Sequence, residues 1–164
     1  MADNSYSNVR IIQLAALLLL ALTAGVFWGT WFTLTRSIDE FSAAEFIHIG
    51  KVIIANVGNP MKVIMPGTIL FVALCLFFAN RQDKLRFYFT LTSLALVIIA
   101  LLITLIVEVP IDNQIKTWTA ATVPPDWKNL RSTWATYHFL RTFVSLASLV
   151  AFGTAILWRV EDST

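Results

Sequence analysis

At 164 residues, 57% of them apolar and only 13% charged, the chain is too greasy for a soluble domain of its size. The formal net charge of +2 points to no acidic partner, and neither a basic nucleic-acid motif nor a phosphate-cradling glycine loop is present. The single cysteine, Cys75, excludes a disulfide framework and a cysteine-based metal site.

Apolar residues arrive in four blocks, about 11–34, 60–79, 87–109 and 134–158. Each approaches or exceeds the roughly 20 residues that cross a bilayer core. The expected fold is an all-α, integral-membrane four-helix bundle, one transmembrane domain over 1–164. Residues 1–9 are polar and read as frayed. The first block resembles a signal peptide, with Leu22-Thr23-Ala24 as a cleavage-like site. Its apolar run nevertheless continues through Trp31 and Phe32, so it reads as a retained helix. Ala21, Gly25, Gly29 and Thr33 recur every four residues, a stripe that admits a close neighbour. Packing inside the bundle is the expected use and homo-oligomerisation the alternative.

Ser42-Ala-Ala-Glu45 has the form of a capping box. It predicts a short surface helix near 43–55 in the first external loop, with Glu45, His48 and Val52 on one face. Asn56, Gly58 and Asn59 then read as its end, and Asn59-Pro60 as the start of the second span. Pro66 is expected to kink that span. Met61 and Met65 beside it serve either packing or a ligand contact.

The third block ends at Glu108-Val-Pro110, where Pro110 is expected to prevent smooth continuation. A short helix around Asn113–Trp118 and a Pro124-Pro125-Asp126 stop follow. Arg81, Lys84 and Arg86 crowd the link between the second and third spans. The positive-inside rule therefore puts that link and both termini in the cytoplasm, in a plasma (inner) membrane. Trp28, Trp31, Trp118, Trp127 and Trp134 would then gather at the external end, with Trp158 alone inside.

The fourth block carries the chemistry. Trp127, Arg131, Trp134, His138, Arg141, Ser145 and Ser148 follow in alternating steps of four and three, one stripe of one helix. A stripe of Arg, His and Ser entering lipid must face protein or a wet cavity, because an unpaired Arg there costs about 3 kcal/mol or more. Glu108 is the expected partner of Arg141, either as a structural tie or within an anion clamp. His138 is a natural proton acceptor near neutral pH. Trp127 and Trp134 either line a pocket or anchor the interface. His48, Glu45 and Asn113 complete the groups expected at the outer mouth. Two histidines and scattered carboxylates match no metal-ligand motif, so neither a metal nor another cofactor is expected.

Glu108-Val-Pro-Ile-Asp-Asn113, followed by Trp127, Leu130-Arg131, Trp134, His138 and Arg141, resembles the anthrone-oxygenase-like family of small four-helix membrane proteins. That family shows an Asn-x-Pro-x-Asn-like turn after the third helix, then a Trp, Arg, Trp, Asn-or-His, Arg series. Pro110 and Asn113 fit the turn, whereas Glu108 and Asp112 depart from it. The resemblance implies oxidation of an anthrone- or quinol-like aromatic with molecular oxygen. In that chemistry His138 would be the base, and Arg141 and Arg131 would stabilise the anionic oxygen. Trp127 and Trp134 would hold a flat ring, with Asn113, Glu108 and His48 around the substrate. The expected partners are a hydrophobic aromatic molecule or lipid, the membrane and a possible second copy of the chain, but no nucleic acid. Two other readings stay open: a non-catalytic binder of a quinone or lipid, and a small transport or assembly subunit.

Overall fold

The computed structural model describes residues 2–157, with side chains from Asn8 onward. Among them every regular element is helical: α1 (Ala2–Thr33), a 3-10 turn (Thr35–Glu40), α2 (Ala43–Phe77), α3 (Lys84–Ile103), a π turn (Thr104–Glu108), α4 (Val109–Thr117) and α5 (Trp127–Leu157). α3, the π turn and α4 run on as one rod, Lys84–Thr117, which leaves four long helices, each apolar enough to cross a membrane. Their outward faces carry large apolar side chains, Val63 at 74% exposure and Ile106 at 68% among them. Water would not tolerate so continuous an apolar surface, but lipid does. The chain is a multi-pass membrane protein built as a four-helix bundle.

The helices form a ring in which α1 touches α2 and α5, while α3 touches α2 and, most closely, α5. Three apolar layers fill it. Ile38, Phe46, Ile111, Ile115 and Trp134 pack at the end that carries the 34–42 and 118–126 connections. Phe27, Met61, Met65 and Ala100 lie in the middle. Leu20, Val72, Val97 and Phe152 close the opposite end. Small polar groups bind helices across the interior: Thr23 to Thr68 at 3.1 Å, and Ser148 to the hydroxyl and carbonyl of Ser93 at 3.0 and 2.8 Å. In hydrocarbon such pairs satisfy groups that water cannot reach.

Several local expectations change. α1 begins at Ala2, so the segment expected to fray is helical. The capping box at Ser42 is present: Glu45 Oε2 accepts from the Ser42 N–H at 2.8 Å, and Ser42 Oγ from the Glu45 N–H. The helix it starts does not stop at 55, however. It passes through Asn56–Asn59 and continues to Phe77 with Pro60 and Pro66 inside, so the surface helix and second span are one element. Each proline removes one i→i−4 bond, and packing along a bundle face outweighs that loss. Pro110 likewise does not end its helix. The π turn takes up the irregularity just before it, with the Val109 N–H bonded to the Thr104 carbonyl.

The Ala21, Gly25, Gly29, Thr33 stripe faces outward rather than into the bundle. Ala21, Gly25 and Thr33 are exposed, and a Cβ built on Gly25 or Gly29 would meet nothing within 4 Å. The inward face of α1 is instead Thr23, Ala24 and Phe27. Beside the stripe, Trp28, Trp31, Phe32, Phe139 and Phe143 form an outer aromatic cluster, with Arg36 over Trp31 and Phe32. Trp158, expected at the far interface, lies outside the described residues.

Candidate functional site

Helical spacing turns the α5 stripe inward as the sequence predicts. Arg131, Trp134, His138, Arg141, Ser145 and Ser148 are all buried. Trp134 and His138, four residues apart, stack with ring centroids 4.9 Å apart and planes 5° from parallel. Phe27 of α1 meets the His138 ring edge-on.

The hydrogen bonds around His138 fix its state. Arg141 donates to Nδ1 through Nε at 3.2 Å and Nη2 at 2.8 Å. A guanidinium has no acceptor, so Nδ1 carries a lone pair and no proton. Nε2 lies 3.2 Å from the Phe27 carbonyl, which only accepts, so Nε2 carries the hydrogen. His138 is therefore a neutral imidazole, 1% exposed, with both nitrogens engaged.

Arg141 extends the network. Its Nη2 stands 2.9 Å from Glu108 Oε2, and its Nη1 donates to Thr104 Oγ1 at 3.2 Å. Its guanidinium also lies 4.5 Å from the Phe27 ring centroid. Thr104 and Glu108 open and close the π turn, so that irregular turn presents both groups to Arg141. Glu108 is wholly buried. Neither of its oxygens accepts a hydrogen bond from the described residues, so the contact with Arg141 is a charge pair. On the other side, Trp134 Nε1 donates to Asp112 Oδ1 at 3.1 Å. Asp112 follows Glu108 by four residues, on the same face of the rod.

Except for Glu108, which lies behind Arg141 and does not line it, these groups stand on the wall of a cavity of about 800 Å³, lined by all four long helices. Thr104, Asp112, Asn113, Trp134, His138 and Arg141 are among its polar lining, with Lys51, Lys62 and Lys116. Phe27, Ile54, Met61, Met65, Leu101 and Leu105 are among the apolar lining. The volume and the mixed wall suit a small organic ligand. Met61 and Met65 thus serve both packing and cavity. A second, more polar cavity of about 580 Å³ lies at the opposite end, beside Arg10, Gln13, Cys75 and Thr90.

Not every expected residue joins the site. Arg131 is buried but does not line the cavity. Its Nη2 pairs with Asp39 Oδ1 at 2.7 Å and its Nη1 donates to the Phe41 carbonyl at 3.1 Å, so it ties the 3-10 turn to α5. Trp127 lies beneath that guanidinium and against Phe46, outside the cavity. His48 is exposed, as are Glu45 and Val52 on the same face. α2 turns its other face inward, with Gly50 close to Ile115. Asn113 does reach the wall, where its Oδ1 accepts from Lys116 at 2.9 Å. Among the described residues no three His, Cys, Asp or Glu side chains gather closely enough to hold a metal ion.

Sequence reasoning did not assign Asp112, Thr104 or Phe27 to the site. The four-residue step from Glu108 to Asp112 was the available signal for the first. Nothing local marks Thr104 or the main-chain carbonyl of Phe27, which depend on how helices pack.

The family model Anthrone oxygenase matches residues 56–151, more than half of the chain and a range that includes the side chains of Thr104, Glu108, Asp112, Trp134, His138 and Arg141. The chain belongs to the anthrone oxygenase family. No curated protein and no solved structure matches it.

Proposed function

We propose that this member of the family oxidises a flat, hydrophobic, anthrone- or quinol-like aromatic with molecular oxygen in the α1–α5 cavity. The observation that carries the proposal is the Trp134–His138 stack, with Arg141 donating to Nδ1, on the wall of a cavity large enough for such a molecule. Family membership supports an oxygenase-like activity. We further propose that this end of the bundle is external and that both termini are cytoplasmic, on the strength of the Arg81, Lys84, Arg86 cluster at the opposite end.

The chemistry follows from the network. A substrate ketone entering the cavity competes for the guanidinium protons that Arg141 otherwise gives to His138. Once Arg141 turns to that oxygen, the Nδ1 lone pair is free, beside a methylene made acidic by the same hydrogen bonds. His138 takes one proton from the methylene carbon, and the resulting enolate gives its electrons to oxygen as a C–O bond forms. Loss of the second C–H proton with cleavage of the O–O bond leaves a new carbonyl and one water. Carbon loses four electrons and one oxygen molecule gains them. Glu108 and Thr104 act as positioning residues that hold Arg141, and Asp112 positions Trp134.

The saturation of both His138 nitrogens favours a second reading, in which the cavity binds a quinone or lipid without turning it over. Purified protein in lipid nanodiscs, mixed with an anthrone under oxygen, separates the two. Oxidation is expected above the protein-free rate, lost in His138→Ala and Arg141→Met, with binding of the quinone product retained in His138→Ala. A ligand held but unchanged by wild type and variant alike would overturn the oxygenase reading.

A further inference from the structure

The charge of the cavity lining is uneven. It includes Lys51, Lys62, Lys116 and Arg141, against Asp112 as its one carboxylate among the described residues. Arg141 has Glu108 behind it. The three lysines have no such partner: among the described residues none lies within 4.0 Å of a carboxylate. Each donates instead to a neutral acceptor. Lys51 Nζ reaches the Trp118 carbonyl at 2.7 Å, Lys62 the Asn59 side chain at 3.3 Å, and Lys116 that of Asn113 at 2.9 Å. Asp112, in the field of both Arg141 and Lys116, is already bonded to Trp134.

Two of the lysines, Lys51 and Lys116, share one end of the cavity. Lys51, Ala55, Gly58, Lys62 and Met65 follow in steps of four and three along one stripe of α2, and all five line the cavity. Lys62 is separated from Lys51 by about 16 Å of helix rise along one wall, while Lys116 of α4 stands at the Lys51 end, where Gly50 packs against Ile115 and Lys51 reaches the Trp118 carbonyl. Interfacial lysines ordinarily extend away from a bundle towards lipid headgroups, whereas these three line one cavity. A cavity with an aromatic apolar floor and an excess of cations is complementary to an amphiphilic anion.

We infer that the substrate is a flat hydrophobic aromatic acid, whose ring system lies against Trp134 and whose carboxylate is held by Lys51 and Lys116. The inference rests on the cavity being the substrate site. It adds a selectivity that a purely apolar pocket would lack: the ionised acid is preferred to a neutral compound of the same shape.

Anthraquinone-2-carboxylate and its methyl ester, titrated by equilibrium dialysis against protein in zwitterionic nanodiscs, provide the test. One charge-assisted contact corresponds to about a tenfold or greater preference for the acid. Lys51→Gln/Lys116→Gln is expected to abolish the preference without changing ester affinity. Neither side chain belongs to the apolar core, Lys51 being half-buried and Lys116 exposed, and the corresponding double Arg variant is expected to keep the preference. Equal binding of acid and ester by wild type overturns the inference while leaving the oxygenase reading intact. Failure of both probes to bind overturns the two together. Loss of acid binding when the nanodiscs contain an anionic phospholipid would assign the lysines to lipid headgroups, and would also overturn the inference.

Discussion

Removing Arg141 isolates the carboxylate of Glu108. Its side chain is wholly buried, and among the described residues its one ion pair is with Arg141 Nη2 at 2.9 Å and neither oxygen accepts a hydrogen bond. Arg141→Met therefore leaves a buried acid without a partner, a loss of about 3–5 kcal/mol. Glu108→Gln is milder, because Arg141 keeps its bonds to His138 and Thr104; about 1–3 kcal/mol is expected. Changing both removes the charge from each side, and the double variant is expected to recover about 1–3 kcal/mol relative to the sum of the single losses. Reversible unfolding in mixed micelles, followed by tryptophan fluorescence, measures all four proteins. Losses that add to within about 0.5 kcal/mol would refute the pairing as an energetic unit.

Other predictions are narrower. Trp134→Phe keeps the stack on His138 but loses the bond to Asp112, and should cost about 1–3 kcal/mol of stability; Trp134→Leu should weaken binding of a flat aromatic as well, and unchanged affinity would separate that ring from the ligand. Arg131→Gln should raise hydrogen exchange in residues 35–41 while leaving quinone affinity unchanged, since Arg131 ties that turn to α5; a large affinity loss would return it to the site. In a Cys75→Ala background, Gln114→Cys should label from outside intact cells and Gln82→Cys should not. The reverse pattern would invert the proposed topology.

The α5 stripe was legible because a helical period is a property of local sequence: steps of three and four put Trp134, His138 and Arg141 on one face whatever surrounds them. Glu108 was legible as the partner of Arg141 because few acids can sit at that depth in lipid. What sequence could not supply were the comparisons that only packing makes. Asn56–Pro60 has the composition of a break, yet a continuous α2 buries Met61 and Met65 against Phe27 and Ala100, and that contact outweighs local propensity. Glycine spacing shows that a close neighbour is possible, not on which side of α1 it would lie. Arg131 shares the stripe with His138 but stands about two turns nearer its end, where the 3-10 turn supplies Asp39 and the Phe41 carbonyl. A fork satisfied by the main chain of a distant turn has no signature within its own helix.

The central claim, turnover in the cavity rather than binding alone, is most directly tested by isotope. Purified protein in nanodiscs is given an anthrone and oxygen-18 gas, and the quinone formed is weighed by mass spectrometry after subtraction of the protein-free rate. Wild type is expected to place one labelled oxygen in each product molecule, and His138→Ala to fall to the background. Product formation no faster than in empty nanodiscs, or equal in wild type and His138→Ala, would contradict the account.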